Sequence, residues 1–244
     1  MDLLIQTKSQ FIQRFLRPIS NISDSGNIRL QNGNAACLVA TQDSSVILFG
    51  QAKLDIEVDT PIVLNCPDLK RFERILNLLE NEIIELSYRD NALYYNDGSR
   101  RFTYHLLENG IINGPNLNID KINSLQFDTE FTLKGTVLSE LIKGSCFASN
   151  APKLYISTDE TGVYGELADR SNPLVDTYRT QLASEMTGSM LESEIPILFE
   201  TIKILYAVKF EQVQVRINLQ RGVVVFDIDE DDYKLKYIVS ALVS

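Results

Sequence analysis

The 244-residue sequence has one histidine and three cysteines, and nowhere runs together the roughly 20 apolar residues a bilayer crossing needs. Met1-Asp2-Leu3-Leu4-Ile5 is too short and carries the wrong charge for a signal peptide, so an intracellular protein with no membrane partner is expected. A lone histidine removes most Ser/His/Asp and Cys/His triads, multi-histidine zinc sites and the HExxH pair. That residue, His105, sits in Arg101-Phe102-Thr103-Tyr104-His105-Leu106, where apolar residues alternate with the others, so it is read as a solvated strand residue. Cys37, Cys66 and Cys146, odd in number and far apart, form neither a disulfide framework nor a CxxC pair and are read as buried thiols. There is no GxxxxGK[ST] and no GxGxxG opening a helix, so no phosphate cradle is written here. The acidic run Asp227 to Asp232 starts like a calcium loop, but its sixth position is Asp232 rather than Gly and its twelfth is Ile238 rather than Glu. It is read as a solvated hairpin turn. No catalytic residue, cofactor or metal is called for.

What is present is an acidic globular composition. The sequence carries 33 Asp and Glu against 23 Lys and Arg, a net charge of -10, with 44% hydrophobic and 23% charged residues. That is an ordinary core-forming chain, long enough for one large domain or two of about 120 residues.

The chain is written twice. Phe11, Ile12, Phe15 and Leu16 place one apolar stripe on a helix from Thr7 to Arg17, limited by Pro18. The stripe recurs at an offset of 126 as Val137, Leu138, Leu141 and Ile142, and the same offset pairs Lys8 with Lys134 and Arg17 with Lys143. A second helix, opened by Pro67-Asp68, carries Leu69, Phe72, Ile75 and Leu76; at an offset of 130 stand Phe199, Ile202, Leu205 and Tyr206. After each second helix comes a three-strand meander. Ile84/Leu86/Tyr88 match Val215/Ile217/Leu219, and Phe102/Tyr104/Leu106 match Tyr233/Leu235/Tyr237, both at 131. Two homologous domains are expected, 1–108 and 125–244, joined by a connector at 109–124 whose Gly, Pro and Asn forbid a long regular element. The connector's Ile111, Ile112, Leu117 and Ile119 are too apolar for a free linker and should pack onto something.

The positive charge is not scattered. Lys8, Arg14 and Arg17 lie on the first helix, Lys70, Arg71 and Arg74 on the second, Lys134 and Lys143 at the third, and Lys203 and Lys209 at the fourth, where Glu200 offsets Lys203. In a chain of this net charge, four helices biased one way suggest a surface facing a polyanion.

Two copies of helix, sheet, helix, sheet, an extended connector and basic helices in an acidic chain resemble a DNA sliding clamp. The stretch Phe131 to Gly144 is similar to that family's strand-then-helix opening. The order of elements resembles proliferating cell nuclear antigen, and the length and short connector resemble the clamps of T-even-like bacteriophages. The resemblance implies an α+β DNA-clamp fold, two homologous domains each with two helices packed on antiparallel sheets, assembling into a closed ring as a homotrimer. It implies that the ring encircles double-stranded DNA without regard to sequence and tethers the replicative DNA polymerase, with a clamp loader as further partner and the host cytoplasm as location if phage-encoded. On this reading the ten basic residues named above face DNA. Arg101, Phe102, Tyr104 and Leu106 meet Asp176, Tyr178, Thr180 and Leu182 of a neighbour at a seam of edge strands, Arg101 to Leu107 against Asp176 to Leu182. The connector's Ile111, Ile112, Leu117 and Ile119, with Tyr237 and Val239 of the C-terminal strand, form a pocket for partner peptides. Competing readings are a non-ring polymerase accessory subunit, which would be more basic overall, a β-rich viral structural protein, which predicts no basic bias on helices, and a carboxylate-dependent enzyme, which would not keep most of its acids in turns.

Overall fold

A computed structural model describes residues 2–58, 60–172 and 174–242. The chain divides into two compact units, 1–117 with Glu230–Leu235, and 118–229 with Lys236–Ser244. The elements follow one plan twice. The first repeat runs β1 (Asp2–Ile5), a helical segment 8–20, β2 (Gly26–Gln31), β3 (Asn34–Ala40), β4 (Val46–Lys53), β5 (Ile56–Val58), β6 (Ile62–Cys66), the helix Leu69–Asn77, then β7 (Ile84–Arg89), β8 (Ala92–Asn96) and β9 (Arg101–His105). The second runs β10 (Thr129–Lys134), the helix Gly135–Gly144, β11 (Lys153–Asp159), β12 (Gly162–Ala168), β13 (Tyr178–Ala183), β14 (Thr187–Gly188), β15 (Ile195–Leu198), the helix Phe199–Tyr206, β16 (Gln212–Asn218), β17 (Val223–Asp229) and β18 (Tyr233–Ser240). Strand order β5-β1-β7-β8-β9 recurs as β14-β10-β16-β17-β18, and β4-β3-β2-β6 as β13-β12-β11-β15. The registers repeat too: Ile5 faces Ile84 as Phe131 faces Val215, which are offsets of 126 and 131.

Local chemistry explains the element boundaries. Asp68 caps the second helix, its carboxylate accepting the Arg71 N–H at 2.7 Å. Asp90 and Asn91 both adopt positive φ (50° and 52°) in the two-residue turn between β7 and β8, the geometry that a tight right-twisted hairpin requires and Asn and Asp tolerate. The first helix runs on through Pro18 to Ser20, beyond the stop expected at that proline. Residues Phe11–Leu16 form wider π-type turns, with the Arg17 N–H reaching back to the Ile12 carbonyl, so the ladder has already left its α register where the ring arrives.

Each helix buries the centre of its apolar stripe, while Tyr206, at the end of the fourth stripe, is 46% exposed. Phe11, Phe15, Leu16, Leu69, Phe72 and Leu76 are fully enclosed in the first unit, as Leu141 and Leu205 are in the second. Phe72 stacks on Tyr104 with centroids 5.0 Å apart. Each such side chain contributes about 1.5–3 kcal/mol of burial. Gly144 ends its helix against Tyr178: a Cβ there would stand 2.1 Å from the ring.

Two sequence expectations need revision. Cys37 and Cys66 are buried, but Cys146 is exposed, because it follows the last turn of its helix. The register of the last strand also differs. Leu107 N–H donates to the Asn65 carbonyl in one repeat and Leu242 N–H to the Pro196 carbonyl in the other. That places the end of β18 at an offset of 135 from that of β9, four beyond the 131 expected. The β17–β18 hairpin is longer at its tip, and in the first unit that tip lies along β4, with Lys53 N–H donating to the Asp232 carbonyl at 2.7 Å.

Candidate nucleic-acid interface

The two helices of the first unit lie side by side, the Arg17 guanidinium bonding Glu73 at 2.8 Å. Their apolar stripes face the sheets, so their other sides are what a ligand would meet. Arg17, Lys70, Arg71 and Arg74 are exposed there. Lys70 pairs with Asp24 at 3.3 Å, and Arg74 Nε donates to the Lys70 carbonyl at 3.4 Å. Arg14 is half-exposed; it pairs with Asp232 and lies over the Tyr233 ring, 5.8 Å from its centroid. Lys8 does not belong to this surface. It is only 7% exposed, and its ammonium donates to the Leu79 carbonyl, the partner that makes burying a charge tolerable.

In the second unit Lys134 is exposed at the end of β10, where it precedes the first turn of the helix. Lys143 is exposed on the Gly135–Gly144 helix. Lys203 is exposed and tied to Glu200 at 2.9 Å, and Lys209 is exposed just beyond that helix.

β9 and β13 are two of the strands that end sheets. β9 closes the order β5-β1-β7-β8-β9, and β13 opens β13-β12-β11-β15. Leu106 N–H bonds the Asn91 carbonyl and Asp97 N–H the Arg100 carbonyl, so by antiparallel alternation Phe102 and Tyr104 also turn their amides toward β8. The amides of Arg101, Thr103 and His105 point off the open edge. Several predicted seam side chains are interior. Tyr104 is 2% exposed and its hydroxyl donates to the Asp68 carbonyl at 2.7 Å; burial, with the nearby Cys66 thiol adding, raises its pKa above the ordinary phenol value. Leu106 and Leu182 are buried core residues, and Asp176 precedes β13 rather than lying in it. Phe102 stacks on Tyr95 at 5.3 Å, Thr180 is half-buried, and Tyr178 stacks on an exposed Phe147 at 6.2 Å.

The connector does lie on a surface. A cleft of about 330 Å³ in the first unit is lined by Leu38, Val39, Ala40, Ile112, Gly114 and Pro115, with serines, Asn27, Thr41 and Gln42 at its polar margin. Asn27 Nδ2 donates to the Ile112 carbonyl at 3.1 Å and fixes the connector there. Ile111 is 61% exposed, and Leu117 and Ile119 are half-buried, Ile119 opening a short helix Ile119–Asn123 capped by Asn118. Tyr237 and Val239 do not line the cleft; both are enclosed in the second unit's core, on the inward side of β18, whose other side is exposed at Lys234 and Ser240. The C-terminal apolar run extends to Val243, which lies outside the described residues. The hairpin residues Leu38 to Ser44 were missed from sequence, because their alternation reads as any half-buried strand.

Doubled sheets with repeated strand order, two adjacent helices in each unit and an extended connector define the DNA sliding clamp fold. No family model matches the sequence, and no curated protein matches it. Solved structures do. A. fulgidus PCNA, in a structure with the C-terminal region of FEN-1 bound to it, matches over 100% of this chain and 98% of that one, with TM-score 0.77 and 12% identity. Proliferating cellular nuclear antigen from Entamoeba histolytica matches over 99% and 98%, with TM-score 0.74 and 14% identity. The fold of this chain is that of proliferating cell nuclear antigen.

Proposed function

We propose that this chain is a sliding clamp: three copies close head to tail into a ring around duplex DNA and tether the replicative polymerase, a clamp loader opening the ring. The observation that carries the reading is the basic outward face of the first unit's helices, Arg17, Lys70, Arg71 and Arg74, in a chain of net charge -10. Such a ring is held by topology, so its channel needs only weak, sequence-independent phosphate contacts that permit movement. An acidic exterior repels DNA and favours the threaded state. A tethered polymerase then meets its template at high effective concentration.

The open edges of β9 and β13 support closure. In the first unit the tip of the β17–β18 hairpin runs along β4, and β4 and β13 hold the same place in their repeats. A neighbour's β9, repeat equivalent of β18, is the strand suited to cover β13. Pairing them head to tail removes these two open edges from the ring. The connector cleft, with Leu38, Val39, Ile112 and Pro115 at its base, is the proposed seat for a polymerase peptide, which would anchor by apolar or aromatic side chains. The test is solution mass by light scattering. Three times 27.6 kDa is expected; a monomer mass across the micromolar range would favour a non-ring accessory subunit.

A further inference from the structure

The two helix pairs carry different charge. On the first unit's pair the exposed ionisable residues are Arg17, Lys70, Arg71 and Arg74, and the acid among them, Glu73, is drawn inward to Arg17 and Ser20. On the second unit's pair Lys143 and Lys203 are matched by Glu140 and Glu200, both exposed, and Lys203 is already bonded to Glu200. Arg71 and Arg74, three apart on one helical face, have no carboxylate partner among the described residues. Their chemistry differs as well, since a guanidinium presents a planar fork that matches phosphate oxygens, whereas a lysine offers a point charge.

A cation releases a counterion from DNA only if it is not already neutralised. We propose that the first unit's helices alone hold the duplex backbone, Arg71 and Arg74 making the firmest phosphate contacts. The second unit's helices, with Lys134 and Lys209 lying outside their ends, present a neutral face past which the backbone moves without being held. Lys70 is a reserve: its exposed ion pair with Asp24 is weak enough for a phosphate to replace the carboxylate, whereas Arg17 stays held by the mostly buried Glu73. This inference rests on the clamp reading and deepens it, because it reduces six helix pairs around a trimeric ring to three contact patches.

The test is binding of the full-length protein to a short blunt duplex by fluorescence anisotropy over a salt series. Arg71→Gln with Arg74→Gln should weaken binding about tenfold and flatten the slope of log affinity against log salt by about 2. Lys143→Gln with Lys203→Gln should cost several-fold less, and Glu140→Gln with Glu200→Gln should strengthen binding by exposing the two lysines. All six positions are on helix surfaces, and an unchanged melting temperature confirms folding. Equal losses from the arginine and lysine pairs, in a protein of trimer mass, would overturn this inference and leave the clamp reading standing. No affinity of the parent protein for duplex at low salt would also overturn this inference, while the clamp reading, which rests on topology, is decided by the solution mass.

Discussion

Neighbouring residues on β9 should respond to proline in opposite ways. The Tyr104 amide turns toward β8 and its phenol is buried on Phe72, donating to the Asp68 carbonyl. Tyr104→Pro therefore loses a ladder bond and a large buried aromatic, about 3–5 kcal/mol for the side chain alone. That is enough to unfold much of a marginally stable domain. The Thr103 amide points off the open edge, where proline is tolerated within the monomer. In a seam with a neighbour's β13 it deletes a donor and leaves the facing carbonyl unmatched, at about 1–3 kcal/mol per contact. At 2 kcal/mol the dissociation constant of each contact rises about thirtyfold. Sedimentation across a dilution series reads association, and urea melts read the fold. Thr103→Pro should dissociate with a near-parental midpoint measured as monomer, and Tyr104→Pro should lose the midpoint itself. A Thr103→Pro protein that associates as tightly as its parent would remove β9 from the seam.

Other outcomes follow from single contacts. Gly144→Ala should cost about 1–3 kcal/mol by urea melts, because its Cβ meets the Tyr178 ring at 2.1 Å; pairing it with Tyr178→Ala should recover most of the loss. Asp68→Ala should cost about 1 kcal/mol as the cap on Arg71 N–H is lost, with Asp68→Asn close to neutral. In native protein near pH 8 a maleimide should label Cys146 first, since burial raises Cys66 and pushes Cys37 up to about 12, keeping both as thiols. Their folded pKa values lie above the unfolded value near 9, so the stability they contribute is complete below pH 9 and falls as pH rises toward 12. Alkaline melts of the Cys37→Ala, Cys66→Ala double variant should show a shallower decline. Ile112→Asp should abolish binding of a polymerase C-terminal peptide while the solution mass is unchanged; retained affinity would move the partner site off the connector cleft.

The repeat was legible because helices and strands write their burial at periods of 3.6 and 2. Leu3, Leu86, Thr129 and Ile217 all pair at the offsets that the sequence suggests. The last strand misled for a related reason: an error of four residues, like any even shift, keeps every side chain on the same face, so alternation cannot reveal it. Only the contacts of Leu107 with Asn65 and Leu242 with Pro196 fix the register. The basic helices were legible as composition, but which cations stay available was not. Lys8 is consumed by a carbonyl 71 positions away and Arg14 by Asp232, from the far end of the chain. Tyr237 and Val239 were read as half-free because the apolar run that starts at Tyr237 blurs the alternation, yet both lie on the inward side of β18.

On the proposed function this protein holds DNA by encircling it. The direct measurement is retention on a linear duplex biotinylated at both ends, with streptavidin added before or after the protein and free protein then washed away at moderate salt. A ring that threads over free ends should be trapped only when the blocks come second, and released when one end is cut. Retention that is the same in either order, and survives the cut, would mean that the protein grips a face of the duplex and does not surround it.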